Sequence, residues 1–216
     1  MDVVVVPGTA AADALLDLGV RRERIVEGFN AVDVERFATV ASLAPVTEGH
    51  RFVYVGQLIP RKNVAGLIHA FARCGAPEDT LDIAGDGEEL AELRSLAKEV
   101  GRAESINFAG KVAYNDLPDF LSIQHTLVLP SHEEVWGLVV NEALAAGRHV
   151  VVSDRAGVAP SVRSMQGVFV SSPSVKDLVV AMASSRDSWL APMSAHEILQ
   201  FTPRRFSEAF LEALVK

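Results

Sequence analysis

The sequence predicts an α/β fold: a doubly wound, mostly parallel sheet with helices on both faces. Three observations carry this. Short apolar runs alternate with stretches of helical periodicity, the pattern of successive βαβ units. Six such runs fall between residues 51 and 170, enough for one doubly wound domain. The opening run Val3-Val4-Val5-Val6 is apolar at every position, as in a strand covered on both faces. Right-handed crossovers in such a sheet put ligands beyond the carboxyl ends of the strands, at the topological switch point. The loops after Val55, Ala84, Ala109 and Leu129 are therefore where function is expected.

Each element has its own signal. A helix is expected from Thr9 to Leu18, ended by Gly19, and a short strand over Arg24 to Phe29. Residues 38–50, with Thr39, Ser42, Pro45, Thr47, Glu48 and Gly49, form the best linker candidate. After the strand Phe52–Val55, Asn63 is expected to cap a helix with Val64, Leu67, Ile68 and Phe71 on one stripe, stopped by Gly75. Leu81–Ala84 is a strand. Asp86 and Glu89 suggest a capping box for a helix carrying Leu90, Leu93, Leu96 and Val100, stopped by Gly101. Ile106–Ala109 is a strand, and Asp116–Ser122 a short helix with Pro118 in its first turn. Thr126–Leu129 is a strand, Gly137–Ala146 a helix ending at Gly147, and His149–Ser153 and Val168–Val170 are strands. A helix over Ser174–Ala183 directs Val175, Leu178, Val179 and Met182 inward. The last helix starts at Thr202-Pro203 and carries Phe206, Phe210 and Leu214.

Composition bounds the function. The 216 residues allow one domain, or one domain and part of another. With 49% hydrophobic and 22% charged residues the chain is globular rather than disordered. Twenty Lys and Arg against 28 Asp and Glu give a net charge of −8, which argues against a general binder of nucleic-acid backbone. One cysteine, Cys74, forms no internal disulfide and offers no zinc cluster; it fits a reducing compartment, and a cytoplasmic protein is expected. No stretch approaches the ~20 apolar residues of a membrane helix. The opening run lacks the basic lead of a signal peptide, stops at Pro7 and reads as the middle of something longer.

Three stretches bear on chemistry. Gly85-Asp86-Gly87 opens a helix after a strand, but Leu90 stands where a dinucleotide fingerprint has its third glycine, so a tight turn with Asp86 as a helix cap is the better reading and an NAD role is not expected. Pro130 to Gly147 says more. Glu134 lies in the loop after a strand, Glu142 eight residues on in the helix, and Gly137 between them, where backbone can approach a ligand. The amides of about Trp136 to Val139 are a ready phosphate site, and a carboxylate in the early turns can accept from a ribose diol; equally, Glu142 suits the helix dipole as a surface residue. In Gly56 to Asn63, Lys62 is a compact charge beside helix amides, suited to a diphosphate, while Arg61-Lys62 alone also reads as a solvated pair.

Taken in order, these stretches resemble the retaining glycosyltransferases of sequence family 4, the group 1 glycosyltransferases with the GT-B fold, over most of the chain. Tyr54-Val55-Gly56-Gln57-Leu58, with Lys62-Asn63, looks like the family's G-R/Q-L-x-x-x-K-N/G loop. Leu81 to Gly87 looks like L-x-I-x-G-x-G, and Ile106 to Val112 like I-x-F-x-G-x-V. Glu134-x-Trp136-Gly137-Leu138 with Glu142-Ala143 and Gly147 is similar to the E-x7-E signature. Phe29-Asn30-Ala31-Val32-Asp33, with Phe37, resembles the segment that enters the donor domain.

The resemblance implies a Rossmann-like, GT-B C-terminal domain that binds a nucleoside diphosphate sugar for hexosyl transfer to an acceptor hydroxyl. It gives Lys62 the diphosphate, with Gly56, Gln57 and Arg61 in the same loop; Glu134 the catalytic position near the transferred sugar; and the backbone of Trp136, Gly137, Leu138 and Val139 the sugar and phosphates. Glu142 takes the ribose and Val112 the base. No metal or other cofactor is implied. Residues 1–23 would be a remnant of an acceptor-binding domain, 24–202 the nucleotide-sugar domain, and 203–216 a helix at the domain junction. The expected partners are the nucleotide sugar and that missing amino-terminal domain, through which alone membrane contact would come; the chain by itself is expected to bind donor without efficient transfer.

Departures from the family are visible. Gln57 replaces a common phosphate-binding arginine, for which Arg61 would substitute. Trp136 replaces a phenylalanine and would tighten the sugar pocket. Asp154 to Ser161 lacks the usual double glycine and following glutamate. His132 and His69 read as a solvated loop residue and a structural residue, and Cys74 as inert. The rival readings are a non-catalytic nucleotide-sugar-binding module, a nucleotide-sugar epimerase of the same fold, and a receiver-like sheet protein without a nucleotide site.

Overall fold

The computed structural model describes residues 3–43, 47–193 and 197–215. Its elements run β1 (Val4–Val6), α1 (Thr9–Asp17), β2 (Ile25–Glu27), α2 (Val34–Ala38), β3 (Arg51–Val55), α3 (Val64–Cys74), β4 (Thr80–Ala84), α4 (Leu90–Glu99), β5 (Ile106–Gly110), α5 (Leu117–Ser122), β6 (Thr126–Leu129), α6 (Leu138–Ala145), β7 (His149–Ser153), α7 (Ala159–Val162), β8 (Val168–Ser171), α8 (Val175–Asp187) and α9 (Pro203–Val215). Six parallel strands form the main sheet in the order β5-β4-β3-β6-β7-β8. Beside it β1 and β2 make a separate parallel pair, Val4–Val6 alongside Ile25–Glu27.

Strand periodicity explains the continuous apolar runs. Val53, Leu127, Leu129, Val150 and Val152 face one core with Phe37, Leu121, Val140 and Leu144. Phe52, Tyr54, Val128 and Val151 face the other, with Leu67, Ile68, Phe71, Leu93, Leu178 and Met182. A strand whose odd and even residues enter two different cores has no polar face to show. Each fully buried Val, Leu or Phe here contributes about 1.5–3 kcal/mol.

Several local expectations change. Val3–Val6 is not covered on both faces: Val6 is buried with Ala12 and Ile25, but Val4 is exposed, because among the described residues β1 has β2, α9 and α1 as its main neighbours and no further strand. Asn63 precedes α3 but does not cap it. Its backbone is left-handed (φ 56°), and its side-chain amide donates to the carbonyls of Pro130 (3.0 Å) and Pro173 (2.9 Å). No capping box forms at α4, since Asp86 accepts from the Gly87 amide (2.9 Å) and Glu89 stands at the cap without a side-chain bond. Ser174 and Asp33 do cap, accepting from the Asp177 and Arg36 amides at 3.2 Å. Helices α2 and α7, of five and four residues, are too short for a periodic signal, and α2 takes the first residue of the expected linker; Pro45 of that linker lies outside the described residues.

The amino end of the sheet is polar and buried. Arg148 is fully buried and donates to the carbonyls of Val40, Ala41, Leu43, Gln124 and Ala146, fastening the segment after α2 to the sheet. Nearby, His50, His125 and His149 each meet Trp189 edge-on, with His50 stacked on His125 at 4.7 Å. His125 Nδ1 accepts from the Arg51 amide (2.8 Å), His50 Nε2 meets Thr126 Oγ1 (2.8 Å) and His149 Nδ1 meets the Ser185 carbonyl (3.1 Å). Burial lowers all three imidazoles: His50 to about 3, helped by its histidine neighbours and Arg186; His125 to about 4, helped by Arg148 and Arg51 against Asp79; and His149 by burial alone, against its bond to the Ser185 carbonyl.

A lowered histidine pKa means that the unfolded chain binds more protons. Stability is full above the unfolded value of 6.5 and falls as pH drops below it, by about 1.36 kcal/mol per pH unit for each histidine that stays neutral in the fold. Thermal melts should show the histidine-linked stability falling away between pH 6.5 and 5, against the opposing contribution of Glu142, and His50→Gln should remove about one histidine's share of that loss; an unchanged pH dependence refutes the assignment.

Candidate functional site

Sheet order decides where the site lies. β3 and β6 are neighbours at the centre, but α3 packs on one face and α6 on the other, so the loops after the two strands bound the topological switch point, where sheets of this kind have their ligand crevice. The two stretches singled out by sequence are those loops.

In the first loop, Tyr54 is fully buried and its hydroxyl donates to the Gln57 carbonyl (2.7 Å). Burial, then Glu134, raises the phenol well above its ordinary range, so it remains a donor. The Gly85-Gly87 pair presses on this loop from the next strand. A Cβ on Gly85 would lie 1.8 Å from the Gly56 carbonyl oxygen, and one on Gly87 2.2 Å from that of Leu58. Close backbone packing therefore accounts for both glycines. A 3-10 turn, Pro60–Lys62, then delivers Lys62 inward, 9% exposed.

Lys62 Nζ donates to Glu134 Oε2, an ion pair whose two side chains are almost covered. Glu134 is fixed from behind by the loop after β7: its amide donates to the Arg155 carbonyl (3.3 Å) and its carbonyl accepts from the Gly157 amide (3.0 Å). Gly157 is required there, since its Cβ would sit 2.1 Å from the Val135 carbonyl oxygen. Arg61 is exposed, and its carbonyl takes the His132 amide (2.8 Å), so the two loops are joined through backbone as well as through charge. Its guanidinium reaches the Glu133 carbonyl (3.4 Å). Gln57 is exposed, and its side chain has no hydrogen bond among the described residues.

Gly137, at φ 102°, turns the chain into α6, and its Cβ would meet Leu129 at 2.7 Å. The amides of Gly137, Leu138 and Val139 have no acceptor among the described residues, as expected at a helix start. Trp136 is buried, its six-membered ring over Gly8 and edge-on to Phe29 (5.2 Å), and its Nε1 has no partner among the described residues. Its bulk thus joins the small sheet to this loop.

Glu142 is 7% exposed, without a hydrogen bond or ion pair among the described residues, and burial raises its carboxyl to about 7. It is not the solvated helix-dipole residue that sequence left open. Val112 is half-buried on the α6 side of the sheet, in the loop after Gly110. The structure therefore pairs Lys62 with Glu134 directly and ties Arg61 to His132 and Glu133 beside it, while Val112 packs against the core that α6, carrying Glu142, enters. Sequence missed Tyr54, Asn63's left-handed bridging role and Gly157; an Asn between a 3-10 turn and a helix was the one available signal. His132 is exposed, and burial pushes the Cys74 thiol up to about 11, as an inert cysteine requires. Among the described residues no helix is long and apolar enough to cross a membrane, and no three His, Cys, Asp or Glu side chains group as metal ligands.

The model of the family described as glycosyl transferases group 1 matches residues 36–189. A glycogen synthase of Mycobacterium tuberculosis is 32% identical over 184 residues, covering 84% of this chain and 44% of that protein; the chain spans less than half of that relative. The apo lipopolysaccharide outer core galactosyltransferase WaaB superposes with TM-score 0.84 at 19% identity, over 99% of this chain and 62% of that one. Anabaena HepE, crystallised with UDP and glucose, superposes with TM-score 0.75 at 20% identity, over 100% and 63%. The sheet and its flanking helices match the GT-B glycosyltransferase fold.

Glu142 generates a pH prediction of opposite sign to that of the histidines. Its folded pKa, about 7, lies above the unfolded 4.5, so the fold binds the extra proton and gains stability as pH falls through 7. Glu142→Gln should stabilise the chain at pH 8 by about 1–3 kcal/mol and lose that advantage by pH 5. An equal difference at both pH values in thermal melts contradicts this.

Proposed function

This chain belongs to the group 1 glycosyltransferase family, and from that membership we propose that it is the donor half of a retaining enzyme. It binds a nucleoside diphosphate sugar, whose hexosyl group the whole protein passes to an acceptor hydroxyl with retained configuration. The observation that carries the reading is the Lys62–Glu134 pair at the switch point, beside the unengaged amides of α6 and the unpaired Glu142.

The residues divide the ligand between them. Lys62 and the amides of Gly137, Leu138 and Val139 take the diphosphate, with the Gly56–Gln57 backbone and Arg61 at its edge. A diphosphate competes with Glu134 for the Lys62 ammonium, and Glu134, released, turns to the sugar hydroxyls. Glu142 accepts from the ribose hydroxyls, which supply hydrogen-bond partners to a carboxyl that has none among the described residues. Val112 meets the base. Leaving-group charge is met by protein donors, so donor binding is metal-independent. Residues 1–23 belong with an amino-terminal acceptor domain, 24–202 hold the donor, and α9 lies at the junction. Transfer needs acceptor and donor at near-attack distance, so the chain alone binds donor without efficient turnover.

Calorimetric titration with UDP, GDP and ADP tests the reading; no saturable binding of any would refute it. Lys62→Ala should weaken the diphosphates by about 10-fold or more while leaving the bare nucleosides nearly unchanged, since a charge-assisted hydrogen bond contributes about 1.5–3 kcal/mol. An equal loss for nucleoside and diphosphate means that Lys62 acts through folding, where it also neutralises Glu134. Affinity should be unaltered by EDTA; a strict divalent-cation requirement contradicts the metal-independent site.

A further inference from the structure

The loop that follows β5 is held mostly by an element far away in sequence. Residues 111 and 113–116 are exposed, with a turn bond from the Asp116 amide to the Ala113 carbonyl (2.9 Å) and the half-buried Val112 as local anchors. Lys111 adds an exposed ion pair to Asp86 (3.4 Å), and the anchor for the rest of the loop is Arg36, from α2. Its Nη2 donates to Asn115 Oδ1 (2.9 Å) and to the Asn115 carbonyl (3.2 Å), and its guanidinium lies 5.2 Å from the centroid of the Tyr114 ring. The same ring meets the fully buried Phe37 edge-on at 5.9 Å.

α2 is itself rigidly set. Asp33 caps it, Phe37 and Val34 enter the core, and it packs on α6. Asn141 of α6, next to Glu142, donates to the Asn30 carbonyl (2.7 Å) on the approach to α2. One short helix thus fixes the β5–α5 loop against the helix that carries Glu142. The planar guanidinium does this with two hydrogen bonds and a ring contact at once, which a lysine cannot reproduce.

We propose that Arg36 is a positioning residue for the nucleobase: it holds the Val112–Asn115 loop at a fixed offset from Glu142, and so sets the base-dependent part of donor affinity. The proposal rests on the donor-site reading above. Arg36 lies in none of the stretches assigned to donor contact and acts through Tyr114 and Asn115.

Two measurements separate this from a general structural role. In the ligand-free chain, Arg36→Ala should speed amide hydrogen exchange across residues 111–116 and leave 56–63 unchanged; equal protection in both proteins overturns the proposal whether or not nucleotide binds. In titrations, Arg36→Ala should weaken UDP, GDP or ADP by about 5–20-fold and narrow the differences among them, with inorganic diphosphate unchanged and Arg36→Lys intermediate. An unaltered nucleotide affinity, or the same loss for inorganic diphosphate, overturns it. Failure of the wild-type chain to bind any of the three nucleotides instead overturns the donor-site reading and the proposal with it.

Discussion

The constraint on which the rest depends is that β3 and β6 lie side by side while their following helices leave on opposite faces. Two buried parallel strands cannot be joined by a hairpin, so the chain travels out through β4 and β5 and returns under α5 before β6 is placed. The crevice between the two loops is a consequence of that route rather than a feature added to it. Its walls need very little side-chain volume, which is why glycines crowd there. Gly85 and Gly87 admit the neighbouring loop and Gly157 the backbone behind Glu134, while Gly137 turns the chain into α6.

Charge in this crevice is balanced in unequal ways. Lys62 and Glu134 satisfy one another with both side chains nearly covered, so removing either leaves a charge with poor access to water. Glu142 has no such partner, and burial keeps its carboxyl protonated well into the neutral range. A carboxyl held this way costs stability whenever it ionises, which marks it as a residue placed for something other than the fold. At the opposite end of the strands the accounting is different. Arg148 has five carbonyl acceptors and the three histidines stay neutral around Trp189, so that polar cluster is closed.

The small β1–β2 sheet is tied to this centre by Trp136, which reaches from the motif loop to Gly8 and Phe29, and by Thr9, whose amide donates to Ser161 Oγ (3.2 Å). Across the middle, α2 connects α6 to the β5–α5 loop. The rim of the crevice is therefore built from segments separated by more than a hundred residues, and its shape is a tertiary property even though each piece is short.

Much was legible without coordinates. The six strands, most of their boundaries, the parallel architecture and the two loops that flank the switch point follow from period and punctuation, because a strand buried on both faces and an amphipathic helix leave different marks on a sequence. The pairing of a lysine with a glutamate 72 residues away was not legible, and neither was the fate of Asn63, Asp86 and Trp136, each of which has a local use in sequence and another in the fold. Local propensity ranks what a residue can do among its chain neighbours; when a bridge between loops, a turn amide or an aromatic contact across two sheets satisfies the same atoms better, tertiary packing decides. The burial that raises Glu142 and lowers the histidines belongs to that second class, since desolvation depends on what the whole fold places around a side chain and not on the residues beside it.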